Sequence, residues 1–244
     1  MAASPTLIKK VMGVESAPFI IYPFRASPSA SSRILKAVSV DSYGTPTTLS
    51  SSSTTFPNRS LGEPDPDRLI VISLGIRSSF AQPNLTFSIG GVPMNKVYSN
   101  SLSANIMSFL LWAIVPNGTT GDFTIDNIVI DNSQFWTYFK IYRVIGGSET
   151  IVDSAIVSNT VNPSATLNTK NGGLVFATTA SNPPGPAVDW SNATESYDVQ
   201  TPANGDVISC AIAQTNGSPL SISATHNGAI DIYVSFCAVS FRPK

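Results

Sequence analysis

The chain has 244 residues, of which 42 % are hydrophobic and only 12 % charged, with a net charge of −1; that suits one large domain, or a domain plus an arm. The charged share is about half that of an ordinary soluble domain. Its Lys and Arg are scattered, which excludes the electrostatic footprint of a nucleic-acid binder and leaves little self-repulsion to oppose association.

Residues 1–44 hold two short apolar pieces, 18–22 and 34–40, in a Pro- and Ser-rich setting. Such a segment cannot bury a core of its own, so it is expected to be an anchoring arm that orders on a neighbour, with Phe19, Ile20 and Tyr22 making the contacts. The opening MAASPTLIKKV has no apolar stretch long enough for a signal peptide. No run reaches the roughly 18 apolar residues of a membrane span. Synthesis in a cytoplasm and no membrane contact are therefore expected.

Residues 45–244 are expected to form one β domain. The Ser/Thr tract 45–55 is either a flexible linker or an edge strand. A turn-rich lead, 58–62, and a Pro-stiffened acidic loop, 63–67, deliver Arg68 onto the run 69–76, which is apolar on both faces and reads as a central strand covered on each side. Gly90-Gly91 reads as a hairpin turn between strands 85–89 and 92–97. The run 107–115 is a second two-faced apolar strand, and 123–130 changes phase at Asp126-Asn127, as a β-bulge would make it do. Asn-Gly at 117–118, 171–172, 204–205, 216–217 and 227–228 predicts tight hairpins, because the pair tolerates positive φ at both central positions. Segments 206–214, 220–225 and 229–241 read as a closing meander. No segment repeats apolar residues at helical spacing over three turns. Together these elements predict an all-β, two-sheet antiparallel β-sandwich of jelly-roll type with an extended N-terminal arm.

The inventory for chemistry is thin. His226, the only histidine, is expected at a solvent-facing turn. Cys210 and Cys237 lie in apolar runs and read as buried small hydrophobes, with a disulfide left open. There is no nucleophile elbow, no phosphate-cradling Gly loop and no zinc-type spacing. The acidic groups Glu63, Asp65 and Asp67, and Asp122, Asp126 and Asp131, lack both a calcium-loop pattern and a glycosidase pairing, so they read as solvated loops. No catalytic residue, metal or cofactor is expected.

The segment 135–145 (FWTYFKIYRVI) is the best candidate for a working surface. One face, Phe135, Thr137, Phe139, Ile141 and Arg143, is core. The other, Trp136, Tyr138, Lys140 and Tyr142, carries aromatic bodies with polar tips; it covers the sheet under a loop, forms a subunit interface or stacks a glycan. Trp190, in the Pro-rich loop 183–190, is expected to fold over the end of the sandwich, with a ligand-stacking or interface role as the alternative.

From about residue 44 to residue 241, the order of features resembles a β-sandwich module of tailed-bacteriophage virion structural proteins. The resemblance rests on TPTTLSSSSTTF, NRSLG, the turn into Asp67-Arg68 with its hydrophobic strand, and Ile89-Gly90-Gly91-Val92. It continues through the Pro116-to-Asp122 turn and the strand 123–130, the aromatic strand 135–144, the stretch 172–177, Asp189-Trp190 and the stretch 195–198. It implies a non-enzymatic virion protein made in the bacterial host's cytoplasm, a capsid decoration or head-fibre subunit. Its expected partners are the major capsid protein or another virion protein, bound through the arm, and further copies of itself, a trimer being favoured. The alternative it implies is a tail-fibre receptor-binding module that stacks host surface glycans on Trp136, Tyr138 or Trp190. The family brings no catalytic residues.

Overall fold

The computed structural model describes residues 33–48, 51–78, 82, 84–101, 106–129, 134–158, 160–182, 187–200, 206–227 and 233–244. Among them there is no helix, and strand follows strand. The all-β, antiparallel sandwich class expected from the sequence is what the chain adopts. The number of layers is not the expected two: the strands form four sheets.

Nine strands come from the first half of the chain: β1 (Ala37–Thr48), β2 (Ser53–Ser60), β3 (Arg68–Arg77), β4 (Thr86–Ile89), β5 (Val92–Pro93), β6 (Asn95–Ser101), β7 (Ile106–Ile114), β8 (Thr120–Asp126) and β9 (Gln134–Ile145). They build a five-stranded sheet in the order β1-β9-β3-β7-β6 and a four-stranded sheet in the order β2-β8-β4-β5. Gly146, at φ +76°, turns the chain within one residue into the second half. There the strands are β10 (Gly147–Ser158), β11 (Ser164–Leu167), β12 (Asn171–Asn182), β13 (Val188–Ser191), β14 (Thr194–Gln200), β15 (Val207–Asn216), β16 (Leu220–His226) and β17 (Tyr233–Pro243). These form a five-stranded sheet, β10-β17-β12-β15-β14, and a three-stranded sheet, β11-β16-β13.

The two strand orders are the same order. Replacing β1, β9, β3, β7 and β6 by β10, β17, β12, β15 and β14 converts one large sheet into the other, and β2, β8 and β4 become β11, β16 and β13. The chain is a tandem repeat of one winding, each half a large sheet covered by a small one.

Side chains alternate across each strand, so the four sheets enclose three apolar layers. Ile70, Ile72, Leu74 and Ile76 of β3, with Phe109 and Phe139, meet Phe87, Phe123 and Ile125 of the small sheet. The opposite face of the same strands supplies Leu69, Val71, Leu110, Trp112, Tyr142 and Val144. These pack on Leu174, Phe176, Ile208, Cys210, Val239 and Phe241 of the second half. The third layer joins Val175, Ala177, Phe236 and Ala238 to Leu167, Val188, Ile222 and Ala224. This explains why 69–76 and 107–115 are apolar on both faces: β3 and β7 lie inside a sheet that is covered twice.

Several local expectations change. Gly90 and Gly91 do make the expected turn, both with positive φ (56° and 78°), but the strand expected over 92–97 breaks at Met94. β5 pairs with β4, whereas β6 joins the other sheet beside β7. Asn-Gly at 117–118 and 216–217 does not close hairpins: only the glycines are left-handed there, and the turns carry the chain from a large sheet to a small one. Asn171-Gly172 starts β12 with a register irregularity, while 204–205 and Gly228 lie outside the described residues. The expected bulge at Asp126-Asn127 is a strand end, where Asn127 turns left-handed at φ 61°. The closing meander is absent because β16 pairs with β11 and β13, not with β15 or β17. Within the tract 45–55, residues 45–48 end β1 and 53–55 open β2, both outer strands, so the edge-strand alternative holds for those residues, while 49–50 lie outside the described residues. Finally, the folded unit is Ser32–Lys244, so it begins before residue 45. Leu35 is fully buried and its amide donates to the Gly172 carbonyl at 2.8 Å.

Candidate interaction surface

The two large sheets do not pack evenly. Their backbones approach along β6 and β7 against β10, β12 and β17. There Ser99 Oγ donates to the Val157 carbonyl at 2.7 Å, and Trp112 Nε1 donates to the Glu149 carbonyl at 2.9 Å. At the other end, β1 and β9 stand further from β14, and long side chains cross the gap. Lys140 Nζ donates to the Ser196 carbonyl at 3.0 Å, and Tyr142 donates to Ser196 Oγ at 2.7 Å. The rings of Tyr138 and Tyr197 lie 5.1 Å apart. Deeper in, Ser73 Oγ donates to Thr178 Oγ1 at 2.9 Å and sits 2.6 Å from the Tyr197 hydroxyl.

This accounts for the aromatic face of 135–145. Trp136 and Tyr142 are buried, Tyr138 and Lys140 half-buried. The face turns toward the second half of the chain, so its amphipathic character is met by a partner within the molecule. Trp190 lies in β13 rather than in a loop; it is half-buried and its indole donates to Ser209 Oγ at 2.8 Å. Phe19, Ile20 and Tyr22 lie outside the described residues.

At the splayed end, two clefts open on either side of residues 36–38. One, of about 490 Å³, is lined by Arg33, Ile34, Asp67 and Arg143 among others; the second, of about 440 Å³, reaches Glu195, Ile212 and Gln214. Lys36 and Val38 line both. Ile34 and Val38 are 63 % and 55 % exposed, which puts two exposed large apolar side chains beside these clefts. The carboxylates here are engaged: Asp67 binds Lys244 at 2.6 Å and Arg33 at 3.9 Å, which hold it below the usual carboxylate range, and Asp65 Oδ1 accepts the Asp67 amide. Arg143 Nε, by contrast, is shielded from solvent and has no acceptor.

The histidine and both cysteines are inside the molecule. His226 is not at a solvent-facing turn; it ends β16, 4 % exposed, with Nε2 3.1 Å from Thr179 Oγ1 and Nδ1 unpartnered. The sequence signal missed was the apolar alternation Leu220, Ile222, Ala224, which continues onto His226. Burial pushes its imidazole down to about 4. A depressed histidine stabilises the fold fully above pH 6.5 and loses that contribution as pH falls toward 4, by at most about 3 kcal/mol. A His226→Gln variant is expected to flatten the pH dependence of chemical denaturation across that window; an unchanged slope would contradict the placement.

Cys210 and Cys237 are both buried and free. They pair with Thr178 from opposite sides of β12, so they stand two strand spacings apart, roughly 9.6 Å. That is beyond disulfide reach. Burial pushes the two thiols up to about 11 and about 12. Neither is expected to react with Ellman's reagent in the native protein, and both should react on unfolding; a fast native thiol would contradict the packing. Among the described residues, no group of three His, Cys, Asp or Glu side chains is placed to hold a metal ion.

No family model matches the chain, and neither a curated protein nor a solved structure matches it.

Proposed function

We propose that this protein is a non-enzymatic structural component of a tailed-bacteriophage particle, a capsid decoration or head-fibre subunit present in many self-associated copies. The reading rests first on the ordered resemblance of residues 44–241 to virion sandwich modules. We read each half as a jelly-roll winding, since first and last strands pair inside the large sheet, as in β1-β9-β3-β7, opposite β2-β8-β4-β5. The observation that carries the reading furthest is the way polar and aromatic groups are used. Among the described residues, Tyr142, Tyr197, Cys210 and His226 all serve internal packing, while Ile34 and Val38 are exposed at the groove beside β1. Such a body suits repeated weak attachment to a lattice, where many copies make the whole firm.

The glycan-stacking alternative depended on Trp136, Tyr138 or Trp190; the first two turn inward and Trp190 is half-buried with its indole bonded to Ser209, so no observation favours it. Quantitative densitometry of purified particles tests the proposal. A copy number comparable with that of the major capsid protein is expected. A few copies per particle would favour a tail-fibre module, and absence from particles would overturn both.

A further inference from the structure

The repeated winding gives each end of the sheet interface a counterpart. By strand order, β6 beside β10 corresponds to β14 beside β1. The first pair is closed by Ser99 reaching Val157 and Ser158; the second is open, with the groove between. Among the described residues, β1 is the outer strand of its sheet and pairs with β9 alone. Its other edge therefore presents unpaired backbone groups. Beyond Ser39 that edge is interrupted: the register shifts between Ser39 and Asp41, and Asp41 accepts the amides of Ser42 and Ser60. The stretch left for pairing is 36–38, inside the groove.

The groove also has a chemical preference. Ile34 and Val38 offer exposed apolar side chains. Lys36 and Arg143 have no carboxylate within ion-pairing distance among the described residues, and Arg143 Nε is a buried donor without an acceptor. The two aspartates of the first cleft are already engaged by Lys244, Arg33 and a backbone amide, and Glu195 lines the second.

We propose that this groove takes an extended segment of a shell protein, alternating apolar and carboxylate side chains, as an added strand on the free edge of β1. Backbone pairing supplies affinity, Val38 and Ile34 receive the apolar side chains, and Arg143 and Lys36 receive the carboxylates. The identity of the partner as a shell protein rests on the function proposed above; the chemistry of the groove does not.

The test uses the full chain. Lys36→Glu and Val38→Glu, both at exposed positions, are compared with Ile156→Glu, which is equally exposed on β10, for binding to empty phage shells. In parallel, the peptides acetyl-Glu-Val-Glu-Val-Glu-Val-amide and acetyl-Lys-Val-Lys-Val-Lys-Val-amide are titrated by fluorescence anisotropy. Both groove variants are expected to weaken shell binding by about tenfold or more with Ile156→Glu unaffected, and the acidic peptide to bind at least about tenfold tighter than the basic one. Shell binding that survives both groove variants overturns the groove while leaving the virion role intact. If the wild type binds no shell, the peptides decide: preference for the acidic one keeps the groove and removes the virion role, and equal or no binding removes the groove as well.

Discussion

Arg68→Met is expected to destabilise the protein by at least about 3 kcal/mol. Arg68 is fully buried at the start of β3. Its Nε donates to the Val115 carbonyl at 2.6 Å, one terminal nitrogen to Gly62 at 2.8 Å and the other to Asn117 at 2.6 Å. These carbonyls belong to the two turns that leave β2 and β7, so one guanidinium fixes two of the crossings between the large and the small sheet. Burial and the neighbouring Arg143 lower its affinity for its proton, with Asp65 acting the other way, yet an arginine stays charged. Methionine would keep the apolar stem but leave the Leu61, Gly62, Val115 and Asn117 carbonyls without this donor. Arg68→Lys should recover part of the loss, since an ammonium reaches fewer of the carbonyls. Thermal unfolding measures this, with a fall in Tm of about 10 °C expected for a unit of this size; a methionine variant within about 1 kcal/mol of wild type would contradict the role.

Phe241→Ala is expected to cost about 4 kcal/mol. The ring is fully buried in β17, 5.7 Å from Trp112 of the first half and 5.9 Å from Phe176 of the second. Its loss leaves a cavity in the layer that the two halves share. Because that layer is continuous, the wild type is expected to unfold in one transition, with tryptophan fluorescence and far-UV circular dichroism coinciding in urea. Two separated transitions would mean that the halves are independent domains. Ile222→Val, in the outer layer of the second half, should cost only about 1 kcal/mol.

The strands were legible where burial is written in residue type. Residues 69–76 and 107–115 are apolar on both faces and became the doubly covered β3 and β7. What the sequence concealed was the destination of each strand. A glycine turn marks a change of direction equally well whether the chain returns to its neighbour, as at Gly90-Gly91, or crosses to another sheet, as at Gly118 and Gly217. The tandem repeat was hidden for a related reason. β8 and β16 lie one hundred residues apart and occupy the same place in the winding, but Phe123 and Ile125 in the first correspond to the smaller Ile222 and Ala224 in the second. The repeated signal is an alternation ending in a turn, with almost no repeated residue.

The candidate surface was misread through the same ambiguity. Tyr138, Lys140 and Tyr142 have the mixed character of an interface, and they form one, against Ser196 and Tyr197 of the same chain. Composition reports that a face meets a partner; it does not say whether the partner is covalently attached. The groove beside β1 had almost no signal, because its walls come from segments more than a hundred residues apart. Only the exposed Ile34 and Val38, in a stretch that also carries Arg33 and Lys36, hinted at a surface there.

The most direct test of the virion role is co-sedimentation of the full chain, and of a version beginning at Ser32, with empty phage shells and with host cells. Saturable binding to shells by the full chain, weakened when residues 1–31 are removed and absent on cells, is the result the proposal predicts. Binding to cells with none to shells would contradict it and make the protein a receptor reader.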